Sequence, residues 1–188
     1  YIFENTSAGS TINFTLSTTL NLPRLADDNV RNIGRVNIHD LDNDGRPEII
    51  ATNNTDDFID IFKNTSSSGN TSFDTDPLQF LIEGSSKTSA IDIQDLNNDG
   101  FDDVILIPLR VSDIFILPNT SDIGTIEFGN VIRLEQSGGL TSVKAADLNN
   151  DGFSDLVTID GGVTGSNEAF NDAHIFINNT GVNGGSIS

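Results

Sequence analysis

Alternation of apolar and polar residues recurs at three places along the chain, each time directly before an acidic segment. Apolar side chains stand four and two residues before the first Asp of that segment, as Val36 and Ile38 do before Asp40. A period of two predicts a strand with one buried face. A short apolar run follows each segment and predicts a second, buried strand. The alternating pairs are Val36 and Ile38, Ile91 and Ile93, and Val143 and Ala145, and the apolar runs are 49–51, 104–107 and 156–159.

A third element follows each pair of predicted strands. It is a strand-like run with an Ile-Phe pair that ends in a polar turn containing Asn and Thr, and it occurs at 61–65, 114–120 and 175–180. A fourth copy opens the chain at 1–6. Apolar stretches such as 80–82 and 131–134 predict a fourth strand. No segment predicts a helix, and polar insertions occupy 25–32 and 161–171.

The spacing of these elements predicts the fold. The acidic segments begin at Asp40, Asp95 and Asp147, which are 55 and 52 residues apart, so one repeat contains about four strands. This is the size of a propeller blade, and we predict an all-β fold of β-propeller-type four-stranded blades. The predicted units are a partial blade of third and fourth strands at 1–26, blades with an acidic loop at 27–84 and 85–137, and an incomplete blade at 138–188.

These units amount to about three and a half repeats, whereas closed propellers typically have four to eight blades. The chain begins with Tyr1 rather than Met. We therefore expect a processed form or a part of a larger propeller or assembly.

The acidic segments themselves, residues 40–48, 95–103 and 147–155, have the pattern of cation-binding loops. Each has side-chain oxygens at positions 1, 3, 5 and 9 and Gly at position 6. Ca²⁺ takes six to eight oxygen ligands, and Gly permits the sharp turn around the ion. The position 7 residue would add its backbone carbonyl. The predicted ligands of about three Ca²⁺ ions are Asp40, Asp42, Asp44, Arg46 and Glu48, then Asp95, Asn97, Asp99, Phe101 and Asp103, then Asp147, Asn149, Asp151, Phe153 and Asp155.

The loop pattern has two alternative interpretations. An EF-hand would need a bidentate Glu at position 12, where this chain has Ala51, Leu106 and Thr158, so that motif is excluded. Metal-free turns rich in Asp and Asn are the second alternative. Three aligned copies favour a cation site over such turns.

Composition and charge limit the classes of partner and the kinds of site that the chain can have. The formal net charge is −19 with only nine Lys and Arg residues, so nucleic acid and anionic membrane surfaces are poor partners, and no nucleic acid is expected to bind. There is no Cys, which excludes disulfides and a thiolate site. No apolar run has the length of a membrane span, so no membrane insertion is expected, and no signal peptide is visible.

Several side chains at other positions are candidates for catalysis or modification. His39 precedes the first loop, but its equivalents are Gln94 and Ala146, so a surface side chain is the better interpretation. His174 lacks a nucleophile partner in sequence, and carboxylate pairs such as 27–28 and 56–57 fit solvated loops better than acid–base catalysis. Seven Asn-x-Ser/Thr triplets are candidate glycosylation sites in a secreted protein. They begin at Asn5, Asn13, Asn53, Asn64, Asn70, Asn119 and Asn178.

The acidic loops and the strands that follow them resemble the FG-GAP/VCBS-type repeats of β-propellers, which include the calcium-binding blades of integrin α-subunit heads. The resemblance covers nearly the whole chain and implies bound calcium. Glu48 replaces the usual Asp at the end of the first loop, and the Phe-Gly and Gly-Ala-Pro elements of integrin repeats are not clearly present. Integrin-like ligand binding is therefore not implied.

We accordingly expect a non-enzymatic, extracellular or cell-surface module for adhesion or surface assembly, with structural calcium. Its expected partners are a protein or glycan ligand at a surface and further copies of itself. Two alternatives remain open. One is a catalytic or non-catalytic domain of a polysaccharide-active enzyme, and the other is a subunit of an extracellular filament or surface layer.

Overall fold

A computed structural model describes residues 1–22, 33–55, 57–84, 87–108, 113–136, 139–161 and 172–180. Within these residues the structure contains strands and no helix, which confirms the predicted all-β class. The thirteen strands are β1 (Ile2–Asn5), β2 (Phe14–Thr18), β3 (Ile33–His39), β4 (Glu48–Asn53), β5 (Phe58–Phe62), β6 (Leu78–Leu81), β7 (Thr88–Gln94), β8 (Asp103–Pro108), β9 (Ile114–Leu117), β10 (Ile132–Leu134), β11 (Leu140–Ala146), β12 (Asp155–Asp160) and β13 (Ala173–Phe176).

The strands form four antiparallel meanders. Two sheets have four strands each, in the orders β3-β4-β5-β6 and β7-β8-β9-β10, as expected for blades. The third sheet is β11-β12-β13, and β1 pairs with β2 alone. The sheets do not close into a ring over the described residues. The unit boundaries at 26, 84 and 137 stay a prediction, and the predicted insertions at 25–32 and 161–171 lie almost wholly outside the described residues.

The core lies between successive sheets. One cluster joins the β3–β6 sheet to the β7–β10 sheet, and a second joins the β7–β10 sheet to β11–β13. Strand β8 is buried along its whole length, with Val104 and Leu106 in the first cluster and Ile105 and Ile107 in the second. Both faces of this strand are covered, which explains its continuous apolar sequence.

The first strands of three sheets are neighbours, β3 beside β7 and β7 beside β11, so the acidic loops that leave them are neighbours too. A salt bridge reinforces this arrangement, because Lys144 Nζ on β11 donates to Asp92 Oδ1 on β7 over 2.5 Å. The backbone N–H of Ala145 donates to the other oxygen of Asp92.

One face departs from the prediction of a half-buried strand. Val36 and Ile38 on β3 are 59% and 62% exposed, whereas Val143, at the same repeat position as Val36, is 2% exposed. The β1–β2 hairpin precedes this face without covering it. Periodicity correctly predicted the strand but not whether a neighbour covers it.

Candidate metal centre

The three acidic loops share one backbone conformation. Gly at position 6 has a positive φ in each, between 83° and 93°, which Gly adopts without steric cost. The residue at position 4 is also left-handed, with φ of 55° at Asn43, 60° at Asn98 and 64° at Asn150. Asn is the non-Gly residue best suited to this region. The Asn at position 4 of every loop is visible in the sequence and indicates this left-handed turn, but the predicted ligand pattern did not include position 4.

The side chains at positions 1 and 5 are held inside each loop by backbone donors. The position 6 N–H donates to the position 1 carboxylate over 2.9 Å at Asp40, 2.9 Å at Asp95 and 3.0 Å at Asp147. The position 7 N–H donates over 2.9 Å to position 5, which is Asp44, Asp99 or Asp151. These hydrogen bonds leave further lone pairs on each carboxylate for a cation.

The position 9 carboxylates, Glu48, Asp103 and Asp155, are buried, at 0%, 2% and 0% exposure. One oxygen of each accepts the position 2 N–H of its own loop over 3.0 to 3.1 Å. The other accepts the backbone N–H of an Asn that follows the third strand of the sheet. Each position 9 carboxylate therefore ties its loop to that strand, and the bond to Glu48 is longer, at 3.4 Å against 2.7 and 2.8 Å for the two Asp residues.

Burial has an electrostatic consequence for these groups. Desolvation raises the pKa of Asp103 to about 6, against the lowering effect of the N–H groups of Asn119 and Leu96. Burial likewise raises the pKa of Glu48, opposed by the N–H groups of Leu41 and Asn64. A carboxylate whose charge is disfavoured by burial gains more from a nearby cation than an exposed one does.

In the first loop the structure brings three predicted ligands together. Asp40, Asp42 and Glu48 each place an oxygen within 4.8 Å of the other two, so this cluster could hold a metal ion. All donors are oxygens, which suits Ca²⁺. The second and third loops have Asn at position 3, and no such three-acid group is found there among the described residues. Their ligands, with Asp44 and the carbonyl of Arg46, stay predictions.

Two cationic side chains pair with carboxylates of the first loop. Lys63 Nζ donates to Asp42 Oδ2 over 2.9 Å, and the Asp42 side chain is fully buried. Lys63 also contacts the carbonyl of Gly124 in the next sheet. Arg46 Nη2 lies 2.6 Å from Asp44 Oδ2. Sequence analysis missed Lys63, because a residue 21 positions after Asp42 carries no local signal.

Asn side chains connect each loop to the next. Asn43 Nδ2 donates to the Gly100 carbonyl over 2.7 Å, and Asn98 Nδ2 donates to the Gly152 carbonyl over 2.7 Å. In the reverse direction, Asn119 Nδ2 donates to the Leu41 carbonyl over 2.8 Å and Asn178 Nδ2 to the Leu96 carbonyl over 2.7 Å. The loops therefore form one hydrogen-bonded series rather than three separate sites.

Burial of three Asn residues bears on the predicted glycosylation sites, which stay predictions. Asn64, Asn119 and Asn178 are 8%, 1% and 1% exposed, and each Nδ2, the atom that a glycan would occupy, donates to backbone carbonyls. The folded chain thus opposes glycans at these three positions. Asn178 is the equivalent of Asn119, because its N–H donates to Asp155 as that of Asn119 donates to Asp103.

The Asn-Thr-Ser triplets have a structural reason to recur. Asn5, Asn64 and Asn119 each accept the N–H of the Ser two residues later over 2.9 to 3.0 Å, which forms an Asx turn. The Ser hydroxyl then accepts a backbone N–H from across the hairpin. Asn5, Asn13 and Asn70 are exposed and stay predicted glycosylation sites. The side chain of Asn53 lies outside the described part.

His39 is half-buried rather than a free surface side chain. Its Nε2 lies 2.5 Å from Asp102 Oδ2, at position 8 of the second loop. The pair links two consecutive repeats, as the Asn bridges do. His174 lies on β13 with no hydrogen-bond partner for its Nε2 among the described residues. Of the two carboxylate pairs, Asp27, Asp28 and Asp56 lie outside the described residues.

Comparison with known proteins agrees with this geometry. Among the described residues no helix has the length and apolar character needed to cross a membrane. No curated protein matches the chain. The family model described as FG-GAP-like repeat matches twice, at residues 40–106 and 95–158, and each match begins on the first Asp of an acidic loop. Together the matches cover 40–158, more than half of the 188 residues. The chain therefore belongs to the FG-GAP-like repeat family.

Proposed function

We propose that the chain is an extracellular calcium-binding repeat module that serves adhesion or surface assembly, and that its ions are structural. The observation that carries this proposal is the buried position 9 carboxylate, which joins each acidic loop to the third strand of its sheet. A cation bound by the same carboxylate would stabilise loop and strand together. The extracellular setting is supported by the family, since FG-GAP-like repeats are typical of extracellular proteins.

Charge supports calcium in particular. The chain carries a net charge of −19, and ten acidic residues lie at ligand positions of the three loops. Divalent cations would offset both the repulsion among these groups and the cost of burying position 9. Extracellular calcium modules bind with Kd values of about 10⁻⁴ to 10⁻³ M, so modest affinity is sufficient there.

The proposal includes no catalysis. The described His–Asp pair, His39 and Asp102, bridges two repeats, and this contact is accounted for by its structural role. The loop carboxylates are engaged by backbone N–H groups. A protein or glycan ligand at a surface is the proposed partner.

Thermal unfolding followed by circular dichroism, in calcium and in chelator, tests the structural role. Calcium at 100 times Kd adds about 2.7 kcal/mol per independent site, and each kcal/mol raises Tm by about 2–4 °C at this size. Asp95→Asn should lose part of this gain. Asp76→Asn, an exposed carboxylate outside the loops, should keep it. Equal melting temperatures in calcium and chelator would contradict the proposal.

A binding assay tests the adhesive role. The chain would be passed over immobilised glycans and extracellular proteins, with and without calcium, and the glycans would then be analysed for cleavage. Calcium-dependent retention without cleavage is the expected result. Cleavage of a glycan would instead favour the polysaccharide-active enzyme.

A further inference from the structure

Lys63 is a cationic side chain that the chain places at the first acidic loop and at neither of the others. It directly follows β5 and precedes Asn64, whose N–H donates to the position 9 carboxylate of the first loop. The residues that precede the equivalent Asn in the next two repeats are Pro118 and Ile177. A charge at this position is therefore particular to the first of the three loops.

The carboxylate that Lys63 contacts is also particular to the first loop. Position 3 is Asp42 there, whereas it is Asn97 and Asn149 in the second and third loops. The Asp42 side chain is fully buried, and Lys63 Nζ donates to its Oδ2 over 2.9 Å. A buried carboxylate needs a counter-charge or hydrogen bonds to stay charged. Asp42 and Lys63 therefore form one unit, which stands where the other loops have a neutral Asn.

The second and third loops make their internal contacts with neutral donors. In the second loop, Asn97 Nδ2 donates to Asp99 Oδ2 over 2.9 Å, and Asn149 makes the same bond in the third loop. In the first loop, Arg46 donates to Asp44 instead. Four ligand carboxylates of the first loop thus face two cationic side chains, which leaves two net negative charges, against three at the ligand positions of each other loop. The first loop therefore attracts a further cation less strongly.

Lys63 also connects the first loop to the next sheet. Its Nζ contacts the carbonyl of Gly124, at the tip of the hairpin between β9 and β10. The N–H of Gly124 donates to the Asp42 carbonyl over 3.2 Å, so this hairpin tip lies against the loop. The Lys63 side chain is 22% exposed, which leaves its ammonium group a path from Asp42 to solvent.

We propose that Lys63 is the resident cation of the first loop and that Ca²⁺ enters this loop only in its place. The inference rests on the proposed function, because it concerns one of the proposed calcium sites. An ammonium group and Ca²⁺ on the same carboxylate would repel each other, so an ion bound at Asp42 would release Lys63 from Asp42 and from Gly124. The second and third loops would therefore fill first. At lower calcium concentrations, Lys63 would hold the first loop to the next sheet.

Nuclear magnetic resonance of the full chain, labelled with ¹⁵N, tests this order. The N–H groups of Gly45, Gly100 and Gly152 each donate to the position 1 carboxylate of their own loop, so their amide resonances report the three loops separately. During a calcium titration, the midpoint at Gly45 should be about tenfold higher than the other two, or more, since close charge pairs are worth at least this factor. In Lys63→Met, only the Gly45 midpoint should fall, by a similar factor.

Two further variants separate competition by Lys63 from a change in net charge. Lys144→Met removes a paired Lys outside the loops, whose Nζ lies 2.5 Å from Asp92 Oδ1, and it should leave the Gly45 midpoint unchanged. Asp42→Asn combined with Lys63→Ile gives these two positions the residues of the third repeat. Gly45 should then respond in the same range as Gly152. Because this double variant removes both charges of the buried pair, it tests the inference even if Lys63→Met does not fold.

Melting in chelator tests the resident cation without calcium. Lys63→Met should lower Tm more than Lys144→Met does, because it leaves the buried Asp42 carboxylate without its counter-charge, and equal effects would overturn the inference. So would a Gly45 midpoint that is the same with and without Lys63, even if Gly100 and Gly152 respond to calcium. Absence of any response at Gly100 and Gly152 would instead contradict the proposed calcium function, whereas a Gly45 response gained in Lys63→Met would still uphold competition by Lys63.

Discussion

The Asn residues that follow the third strands provide a strong test of the described fold. Asn119, Asn64 and Asn5 occupy equivalent positions, and they differ in the number of carbonyls to which Nδ2 donates. Asn119 Nδ2 donates to the carbonyls of Leu41 and Asp102 over 2.8 and 3.0 Å, and its Oδ1 accepts the N–H of Ser121. The residue is 1% exposed. Asn119→Ala would remove these bonds and leave two carbonyls without their donor.

The expected decrease in the free energy of unfolding follows from the number of hydrogen bonds lost. An internal hydrogen bond contributes about 1 kcal/mol net, and a buried group left unsatisfied costs about 1–3 kcal/mol. We therefore expect Asn119→Ala to lower the free energy of unfolding by about 3–4 kcal/mol, or Tm by about 10 °C at 2–4 °C per kcal/mol. Asn5→Ala, at the exposed equivalent, should cost about 0.5 kcal/mol or less. Asn64→Ala should fall between them, because the Nδ2 of Asn64 has one carbonyl partner.

Denaturant unfolding in chelator, followed by circular dichroism, measures these differences without a contribution from bound metal. The expected order of destabilisation is Asn119, then Asn64, then Asn5. Equal effects of Asn119→Ala and Asn5→Ala would refute the interpretation that this Asn joins consecutive repeats.

Three further predictions concern charge and modification. The pKa of Asp103 in the folded chain is raised from 3.8 to about 6. In chelator, the contribution of Asp103 to the free energy of unfolding is therefore favourable at low pH and is lost as the pH rises from about 4 to about 6. Asp103→Asn should make Tm, measured as a function of pH in chelator, vary less over this range. Lys63→Met should tighten calcium binding at the first loop, measured by isothermal titration, since it removes the cation that pairs with Asp42; Lys87→Met, outside the loops, should not. Mass spectrometry of the chain secreted from a glycosylating host should find no glycan on the buried Asn64, Asn119 and Asn178. Any glycan that is found should be on the exposed Asn5, Asn13 or Asn70.

The pattern of neighbouring residues in the sequence correctly predicted the strands and turns. Period-two alternation predicted β3, β7 and β11, continuous apolar runs predicted β4, β8 and β12, and the Gly at position 6 predicted the turn that its positive φ confirms. Contacts between repeats had no such signal. Asn119 and Leu41 are 78 residues apart, and Asn178 and Leu96 are 82 apart. Their Asn-x-Ser/Thr triplets therefore suggested glycosylation, although the structure uses the same amides to join blades.

The exposure of Val36 and Ile38 has a similar origin. An alternating strand predicts an apolar face, but the sequence of that strand does not specify which element covers it. At Val143 the neighbouring sheet does so, while at Val36 a groove remains. The sequence alone also does not specify whether Asn178 or Asn179 is the equivalent of Asn119, and the hydrogen bond to Asp155 identifies Asn178.

The position 9 carboxylates indicate how calcium would act in such a chain. Each accepts two backbone N–H groups, and these bonds offset part of the desolvation that raises the pKa of Asp103 and Glu48. One of these donors belongs to the loop and the other to the Asn that follows the third strand, so an ion held by the carboxylate would act on both. The free energy of ion binding would therefore add to the stability of the strands that the carboxylate joins.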